Sequence, residues 1–229
     1  MKKNGLLVHK FSDDYDDDII EYYTMLNEKR EGISKTYYDN GILHTICYFV
    51  NNKLEGKYLR YDSDGSLLEK KYFKNGKLEG LNIHYYDGNI QVISNWKNGL
   101  ENGVRKEYYY DGQLESIFNY KDGNKEGEFR SYYSNGQLNT ICNYKDGKLN
   151  GEYISYFEDG EIQIITNHNI GKINGEHKEF NEGGQIDTIS NYKNGTLDGE
   201  FKSFENGQLN IMCYYINGEL SDKIGFFCL

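Results

Sequence analysis

The segment Glu126 to Leu149, EGEFRSYYSNGQLNTICNYKDGKL, contains one complete unit of a repeat that organises most of the chain. Its first glycine has counterparts about 24 residues apart, and a second glycine follows each of them after eight or nine residues. Self-similarity at a fixed period indicates a repeat architecture. The first-glycine series is Gly32, Gly56, Gly80, Gly103, Gly127, Gly151, Gly175 and Gly199. Eight units therefore occupy residues 31–220.

The residues between the glycines are typical of β-strands. Short runs of Tyr, Phe, Ile and Thr are separated by Asn-Gly or Asp-Gly pairs, as in β-hairpins. Because both kinds of turn connect neighbouring strands, the sequence predicts an all-β fold. We expect an elongated, twisted, single-layer antiparallel meander of about eight 24-residue β-hairpin repeats, with about sixteen strands. The absence of proline agrees, because a strand inside a sheet needs its N–H for hydrogen bonding.

Two units with a shorter turn fix the expected strand register. Tyr85 and Phe204 precede their turn glycine by three residues, whereas Tyr132 precedes its own by four. A two-residue turn sets Tyr85 opposite Ile90, and a three-residue loop with a glycine bulge sets Tyr132 opposite Leu138. The aromatic–aliphatic pair survives the change in turn length, and we therefore expect it in every unit.

This register predicts two chemically different faces of the sheet. The packed face is expected to carry an early aromatic, an aliphatic residue and a late aromatic, such as Tyr132, Leu138 and Tyr144. The other face is amphipathic, and a regular apolar stripe that the chain itself does not cover is typical of a binding surface. The candidate partner-binding residues on this other face are Ile93, Ile117, Phe129, Ile141, Tyr153, Ile165, Ile189 and Phe201.

The segments outside the repeats are predicted to be caps, because a repeat array otherwise exposes unpaired strand edges. Residues 1–30 form an N-terminal cap with the acidic run Asp13 to Asp18, and residues 221–229 form an apolar C-terminal cap. Residues 17–26 have the apolar spacing of a degenerate half repeat, which predicts a strand. The alternative is a helix that begins after Ser12, because aspartates are favourable at helix N-termini.

Charge and hydropathy disfavour several classes of partner. The chain has 26 Lys and Arg against 36 Asp and Glu, a net charge of -10 and a mean hydropathy of -0.82. A negative chain repels the phosphates of nucleic acids and anionic membrane surfaces. No segment approaches the roughly 20 apolar residues that span a bilayer, and no signal peptide or lipidation motif is recognisable. We therefore expect a cytoplasmic protein in a bacterium, or one in the host cytoplasm or virion if its source is viral.

The sequence contains no residue set typical of an enzyme, a metal site or a cofactor site. Catalysis needs convergent groups, whereas a repeat copies the same residues along a line. His168 and His177 occupy positions that are aromatic in other units. Cys47, Cys142 and Cys213 recur at one repeat position and are expected to be buried thiols in a reducing compartment. The acidic run lacks the glycine and glutamate of an EF-hand loop.

The pattern E/N-G-x-x-x-x-Y-Y-x-N-G-Q-L-x-x-I-x-N-Y-K-D-G-K-L, most complete in residues 126–149, resembles the variant MORN repeats. These tandem β-hairpin units occur in many bacteria, where some members are labelled antitoxins, and in giant DNA viruses. The resemblance covers over four-fifths of the chain and implies a scaffold without a shared activity. The eukaryotic MORN branch is associated with membranes and protein assembly, and its G-x-Y-x-G pattern differs from the pattern found here.

We therefore expect a non-catalytic repeat scaffold that mediates protein–protein interaction through the amphipathic face or a sheet edge. An antitoxin-like or immunity neutraliser is one alternative, suited to a basic target. A structural or virion-associated component is another. Unpaired sheet edges also leave self-association open.

Overall fold

A computed structural model of the chain describes residues 5–12 and 18–226, with side chains for residues 5–8 and 20–221. All regular elements in this part of the chain are β-strands, and it contains no helix. The chain divides into two compact units, Met1–Gln113 (unit 1) and Leu114–Leu229 (unit 2). Within each unit the strands pair antiparallel with strands that are close in sequence. The predicted all-β hairpin meander is therefore confirmed.

Unit 1 contains thirteen strands, several of which are two residues long. Each two-residue strand is separated by one residue from the strand that follows it, so the pair forms a single interrupted arm of a hairpin. The strands are β1 (Gly5–Ser12), β2 (Asp18–Leu26), β3 (Lys29–Arg30), β4 (Gly32–Tyr38), β5 (Leu43–Val50), β6 (Lys53–Leu54), β7 (Gly56–Tyr61), β8 (Leu67–Lys74), β9 (Lys77–Leu78), β10 (Gly80–Tyr86), β11 (Asn89–Lys97), β12 (Leu100–Glu101) and β13 (Gly103–Tyr108).

Unit 2 contains eleven strands and only one interrupted arm among its described residues. The strands are β14 (Leu114–Lys121), β15 (Asn124–Lys125), β16 (Gly127–Tyr132), β17 (Leu138–Lys145), β18 (Lys148–Tyr156), β19 (Ile162–Asn169), β20 (Lys172–Phe180), β21 (Ile186–Lys193), β22 (Thr196–Glu205), β23 (Gln208–Ile216) and β24 (Glu219–Phe226). When interrupted arms are counted once, the eight predicted hairpins contribute sixteen arms, and β1, β2 and β24 lie outside them.

Of the two alternatives for residues 17–26, the structure contains the strand. β2 pairs with β1 on one side and with β3 and β4 on the other, so the helix alternative is wrong for residues 18–26. These residues form a strand despite the preceding aspartates, because residues 19–22 pair with β4 and complete a ladder. Residues 13–17 of the acidic run lie outside the described residues.

The predicted register is confirmed in the hairpins that fixed it. Tyr85 lies opposite Ile90 across a two-residue turn, and Tyr132 lies opposite Leu138 across a three-residue loop. In that loop the N–H of Gly136 donates to the carbonyl of Tyr133 over 2.9 Å, and Gly136 has a φ of 83°. The same aromatic–aliphatic pair recurs as Tyr37–Leu43, Tyr61–Leu67, Tyr156–Ile162, Phe180–Ile186 and Phe204–Leu209.

In several repeats, the residue before the first glycine is bonded to the turn at the other end of the same repeat. The carboxylate of Glu55 accepts a hydrogen bond from the N–H of Asn75 over 2.7 Å, and Glu126 accepts one from Asp146 over 2.9 Å. In both cases the donor is the first residue of the turn that ends the following hairpin. The side chain before the glycine is an acceptor because it satisfies a turn N–H that has no other hydrogen-bond partner among the described residues.

One prediction about the faces is wrong, because seven of the hairpins have a described β-bulge after their aliphatic residue. The pairing passes from Tyr132 opposite Leu138 to Ser131 opposite Thr140, which leaves Asn139 as an extra residue. Adjacent residues of a strand point to opposite faces, and an extra residue therefore moves everything after it to the other face. The early aromatic shares a face with the central isoleucine, and the late aromatic does not.

The two sides of the sheet in unit 1 and in unit 2 are named face A and face B, and the register assigns each residue to one of them. Face A carries the early aromatics, their aliphatic partners and the central isoleucines, such as Tyr132, Leu138 and Ile141. Face B carries the late aromatics and the residue two positions after the first glycine of each repeat, which is an aromatic ring in five repeats: Tyr58, Phe129, Tyr153, His177 and Phe201. The late aromatics were predicted to share a face with the early aromatics, but the register places them on face B. They are Phe49, Phe73, Trp96, Tyr144, His168, Tyr192 and Tyr215.

Face B is held together by edge-to-face ring contacts that recur from hairpin to hairpin. Tyr58 contacts Phe73 with 5.9 Å between ring centroids, and Phe129 contacts Tyr144 at 6.2 Å. His168 lies edge-on to Tyr153 at 5.9 Å, as expected for a histidine at an aromatic position. Contacts of this kind contribute about 0.5–1.5 kcal/mol each beyond the area they bury. These contacts recur in four successive hairpins of unit 2, where face B contributes to cohesion, and once in unit 1.

One two-residue turn contains a residue that suits it poorly. Ile170 has a φ of 49° and is 64% exposed, whereas the same position in the other turns holds Asn or Asp. A β-branched residue is strained in the left-handed region, and its exposed side chain gains little from burial. We expect Ile170→Asn to raise the free energy of unfolding by about 1 kcal/mol in chemical denaturation. The converse change, Asn194→Ile, serves as the matched control and should lower it similarly.

Candidate interaction surface

The structure separates the eight predicted partner-binding residues between the two faces. The isoleucines lie on face A, whereas Phe129, Tyr153 and Phe201 lie on face B, opposite Cys142, Thr166 and Cys213. The β-bulge is the reason, because it was not included when the faces were predicted. The residues found on face A are Ile93 in unit 1 and Ile117, Ile141, Ile165 and Ile189 in unit 2.

Face A of unit 2 has a continuous central row that runs across the strands. Each member lies opposite the next in the register, and the isoleucines in it are half-buried. A row of aromatic–aliphatic pairs flanks it on one side. The other side is flanked by four glutamates and the residues opposite them: Glu128–Asn143, Glu152–Asn167, Glu176–Asn191 and Glu200–Tyr214. The central row is Ile117, Arg130, Ile141, Ile154, Ile165, Lys178, Ile189, Lys202 and Met212.

Each cation of this row is neutralised by a carboxylate two residues earlier on its own strand. Arg130 lies 2.9 Å from Glu128, and Lys178 lies 2.6 Å from Glu176. Lys202 lies 2.6 Å from Glu200. Residues two apart on a strand share a face, and these pairs therefore sit side by side on face A.

Face A of unit 1 also has a central row across its strands, but the residues that flank this row differ from those in unit 2. Ile33 is 55% exposed and Tyr48 is 43% exposed at the positions flanking the row. Together with Ile46 and Leu59 they line a shallow, largely apolar depression of about 410 Å³. The central row is Tyr22, Lys35, Ile46, Leu59, Lys70, Ile83, Ile93 and Lys106.

Unit 1 and unit 2 differ at one repeat position that is not among the predicted partner-binding residues. The residue directly after the first glycine of each 24-residue repeat flanks the central row on face A. In the first four repeats this residue is Ile33, Lys57, Leu81 and Val104, and in the last four it is Glu128, Glu152, Glu176 and Glu200. Aligning the eight units on their glycines makes this switch visible without a structure.

Face B of unit 1 contains a cluster of titratable groups around one carboxylate. Glu69 is 8% exposed and lies 3.2 Å from Arg60, 2.8 Å from Lys71 and 3.3 Å from His84. Burial alone would raise the pKa of Glu69, but the hydrogen bonds from Arg60 and Lys71 outweigh it and hold the pKa below its usual range. Burial lowers the pKa of His84, which favours its neutral form. These groups satisfy one another, which is the arrangement of a structural ion cluster.

The thiols show no sign of activation. Cys47, Cys142 and Cys213 are buried and unpaired with each other. Burial raises the pKa of Cys47 and of Cys142 to about 11, so neither is a thiolate near neutral pH. Among the described side chains, no group of three His, Cys, Asp or Glu residues is placed to hold a metal ion. No helix long and apolar enough to cross a bilayer occurs in residues 5–12 or 18–226.

The Glu69 cluster makes a prediction about pH. A carboxylate whose folded pKa is lowered stabilises the fold above its unfolded pKa, and this contribution is lost as the pH falls through the folded pKa. We expect Glu69→Gln to lower the free energy of unfolding by about 2 kcal/mol at neutral pH, with a smaller loss below about pH 4. Denaturant titrations at both pH values test this. Glu128→Gln, at an exposed ion pair, is the control and should cost much less.

Comparison with known proteins identifies the repeat. The model of a family described as "MORN repeat variant" matches residues 30–51, 54–75, 101–122, 125–146, 149–169 and 173–194, more than half of the chain. The two hairpins outside these matches are those with the shorter turns at Gly88 and Gly207.

Other comparisons are less informative. The crystal structure of TcdB2-TccC3 aligns with 91% of this chain at 14% identity and a TM-score of 0.23. This chain spans 15% of the length of that one. The search of curated proteins found no match. On the six matched segments and the eight hairpins, the chain belongs to the MORN repeat variant family.

Proposed function

We propose that this chain is a non-catalytic repeat scaffold that binds another protein through face A. The observation that carries the proposal is the central row of unit 2, where Ile117, Ile141 and Ile165 are half-buried. No other element among the described residues packs over that row as a second layer. A regular apolar stripe left partly open on a sheet is typical of a surface that a partner covers.

The shape of this surface favours a macromolecule over a small ligand. Successive strands of a sheet lie about 4.8 Å apart, so the row from Ile117 to Met212 extends on the order of 40 Å along the sheet. A small-molecule site is an enclosed cleft with a few convergent polar groups. A long linear row instead offers many equivalent contacts, each worth little alone, as a protein interface does.

Family membership supports the same conclusion at a coarser level. MORN repeats form scaffolds, and the family model matches six segments that each span most of a hairpin of this chain. The aromatic ladder on face B and the Glu-Gly hydrogen bonds account for most of the recurring residues. The isoleucines of face A recur as well, but their side chains remain partly accessible to solvent. A partner-binding role gives these accessible apolar side chains a function.

Charging the central row should abolish partner binding. We expect Ile117→Lys combined with Ile141→Lys to remove the partners that the unaltered chain captures from its native source, because two buried ammonium groups cannot be desolvated at the interface. Affinity capture with mass-spectrometric identification is the measurement. The β-sheet circular dichroism should remain unchanged, since both positions are only half-buried.

The control variant adds the same two positive charges at positions outside face A. Ser134→Lys combined with Gln137→Lys places two lysines in an exposed loop of the same unit. This variant should capture the same partners as the unaltered chain. Partner capture that survives the Ile117 and Ile141 changes would contradict the proposal.

A further inference from the structure

On face A of unit 1, Lys35 and Lys106 lack the carboxylate that neutralises the cation at the same repeat position in unit 2, and Lys70 has no acidic residue two positions away on its strand. The positions that hold Glu128, Glu176 and Glu200 in unit 2 are occupied in unit 1 by residues such as Ile33 and Val104. Among the described residues, no carboxylate forms an ion pair with Lys35, Lys70 or Lys106. All three lysines are half-buried between apolar neighbours.

Negative charge is sparse on this surface: Glu55 borders the depression, and its carboxylate accepts a hydrogen bond from the N–H of Asn75 over 2.7 Å. The register places no Asp or Glu in the paired positions of face A from β4 to β13. It does place Lys57 beside the central row, where this fourth lysine is exposed. A cationic and apolar surface on a chain with a net charge of -10 is a local inversion of the overall charge. Such an inversion is complementary to an acidic ligand.

The lysines are evenly spaced. In the central row, Ile46 and Leu59 separate Lys35 from Lys70, and two more isoleucines separate Lys70 from Lys106. Each interval is three strands, or about 14 Å at about 4.8 Å per strand. An extended polypeptide rises about 3.4 Å per residue, so side chains four residues apart lie on the same side and about 14 Å apart. The two spacings agree.

We propose that face A of unit 1 binds an acidic, amphipathic segment of a partner protein in an extended conformation. Carboxylates four residues apart pair with Lys35, Lys70 and Lys106, and an apolar residue midway between them packs on the intervening aliphatic pairs. The depression lined by Ile33 and Tyr48 receives further apolar side chains beside the row. This inference rests on the proposed function and names the class of partner for unit 1.

An anionic membrane fits this surface less well than a polypeptide does. Lys35, Lys70 and Lys106 are half-buried residues in one row, and the carboxylates of an extended chain in register reach them individually. A membrane presents an extended negative surface, which the net charge of -10 repels over a wide area. A short acidic segment interacts mainly within a Debye length, about 8 Å at physiological ionic strength, where the lysines dominate.

A synthetic peptide tests the proposal directly. The probe has glutamate at its first, fifth and ninth positions, leucine at its third and seventh, and serine between them, with a fluorescein label. We expect it to bind the unaltered full chain in fluorescence anisotropy, with an affinity that falls at least about tenfold at high salt. A control peptide with lysine in place of each glutamate should not bind.

The decisive variant gives unit 1 the pattern of unit 2. In Ile33→Glu combined with Val104→Glu, each new carboxylate lies two residues before Lys35 or Lys106, as Glu176 lies before Lys178. We expect peptide affinity to fall at least about tenfold while the circular dichroism spectrum is kept, because glutamate is native at this repeat position. The uncharged control, Ile33→Gln combined with Val104→Gln, should lose less. A second variant, Lys35→Glu with Lys70→Glu and Lys106→Glu, should prefer the lysine peptide.

Several outcomes would overturn the proposal. It fails if the glutamate peptide does not bind the unaltered chain, or if it binds the double glutamate variant equally well. Lysine-dependent flotation with phosphatidylserine vesicles, without peptide binding, would assign the surface to a membrane. A dimer in light scattering that the lysine variant loses would assign it to a second copy of the chain. If the glutamate peptide does not bind, but partners are still captured in a way that depends on Ile117 and Ile141, only this inference is wrong and the proposed function stands.

Discussion

The β-bulge in the second arm of the hairpins is the constraint on which the two faces depend. An extra residue, such as Asn139 after Leu138, leaves the aromatic–aliphatic pair and the central isoleucine on one face and sends the late aromatic to the other. Without the bulge, strict alternation would place Leu138 and Tyr144 together. With it, face B collects the ring contacts and the buried small residues, while face A keeps the aliphatic row. The separation between a cohesive face and an accessible face therefore originates in one unpaired residue per bulged hairpin.

Much of the architecture was readable in the sequence, because glycine and turn length carry conformational information directly. The shorter turn at Gly88 predicted that Tyr85 lies opposite Ile90, and the register agrees. The faces were not predictable in the same way, because the bulge residue has no recurrent identity. It is His44 in one hairpin, Leu68 in the next and Asn139 in another, and none of these marks a bulge as a glycine marks a turn.

The candidate surface was partly predictable as well. The isoleucines of face A follow from the repeat, whereas Phe129, Tyr153 and Phe201 were assigned to that face only because the bulge was missed. The charge pattern beside the isoleucines was present in the sequence from the start, at the residue after each unit's first glycine. It becomes meaningful only when the register shows that this residue and the one two positions later share a face, as Glu176 and Lys178 do.

The position after the first glycine also has a consequence for how such a chain evolves. Its side chain is exposed or half-buried, and its backbone role is fixed by the neighbouring glycine, so replacement there leaves the hairpin intact. A lysine codon becomes a glutamate codon by a single base change, and a valine codon becomes a glutamate or aspartate codon by one, so a single change places a carboxylate at Lys57 or Val104. In a tandem array, duplication copies the hairpin and point mutation then sets the charge of each copy separately. A lineage can therefore alter the binding preference of this face one repeat at a time without rebuilding the sheet.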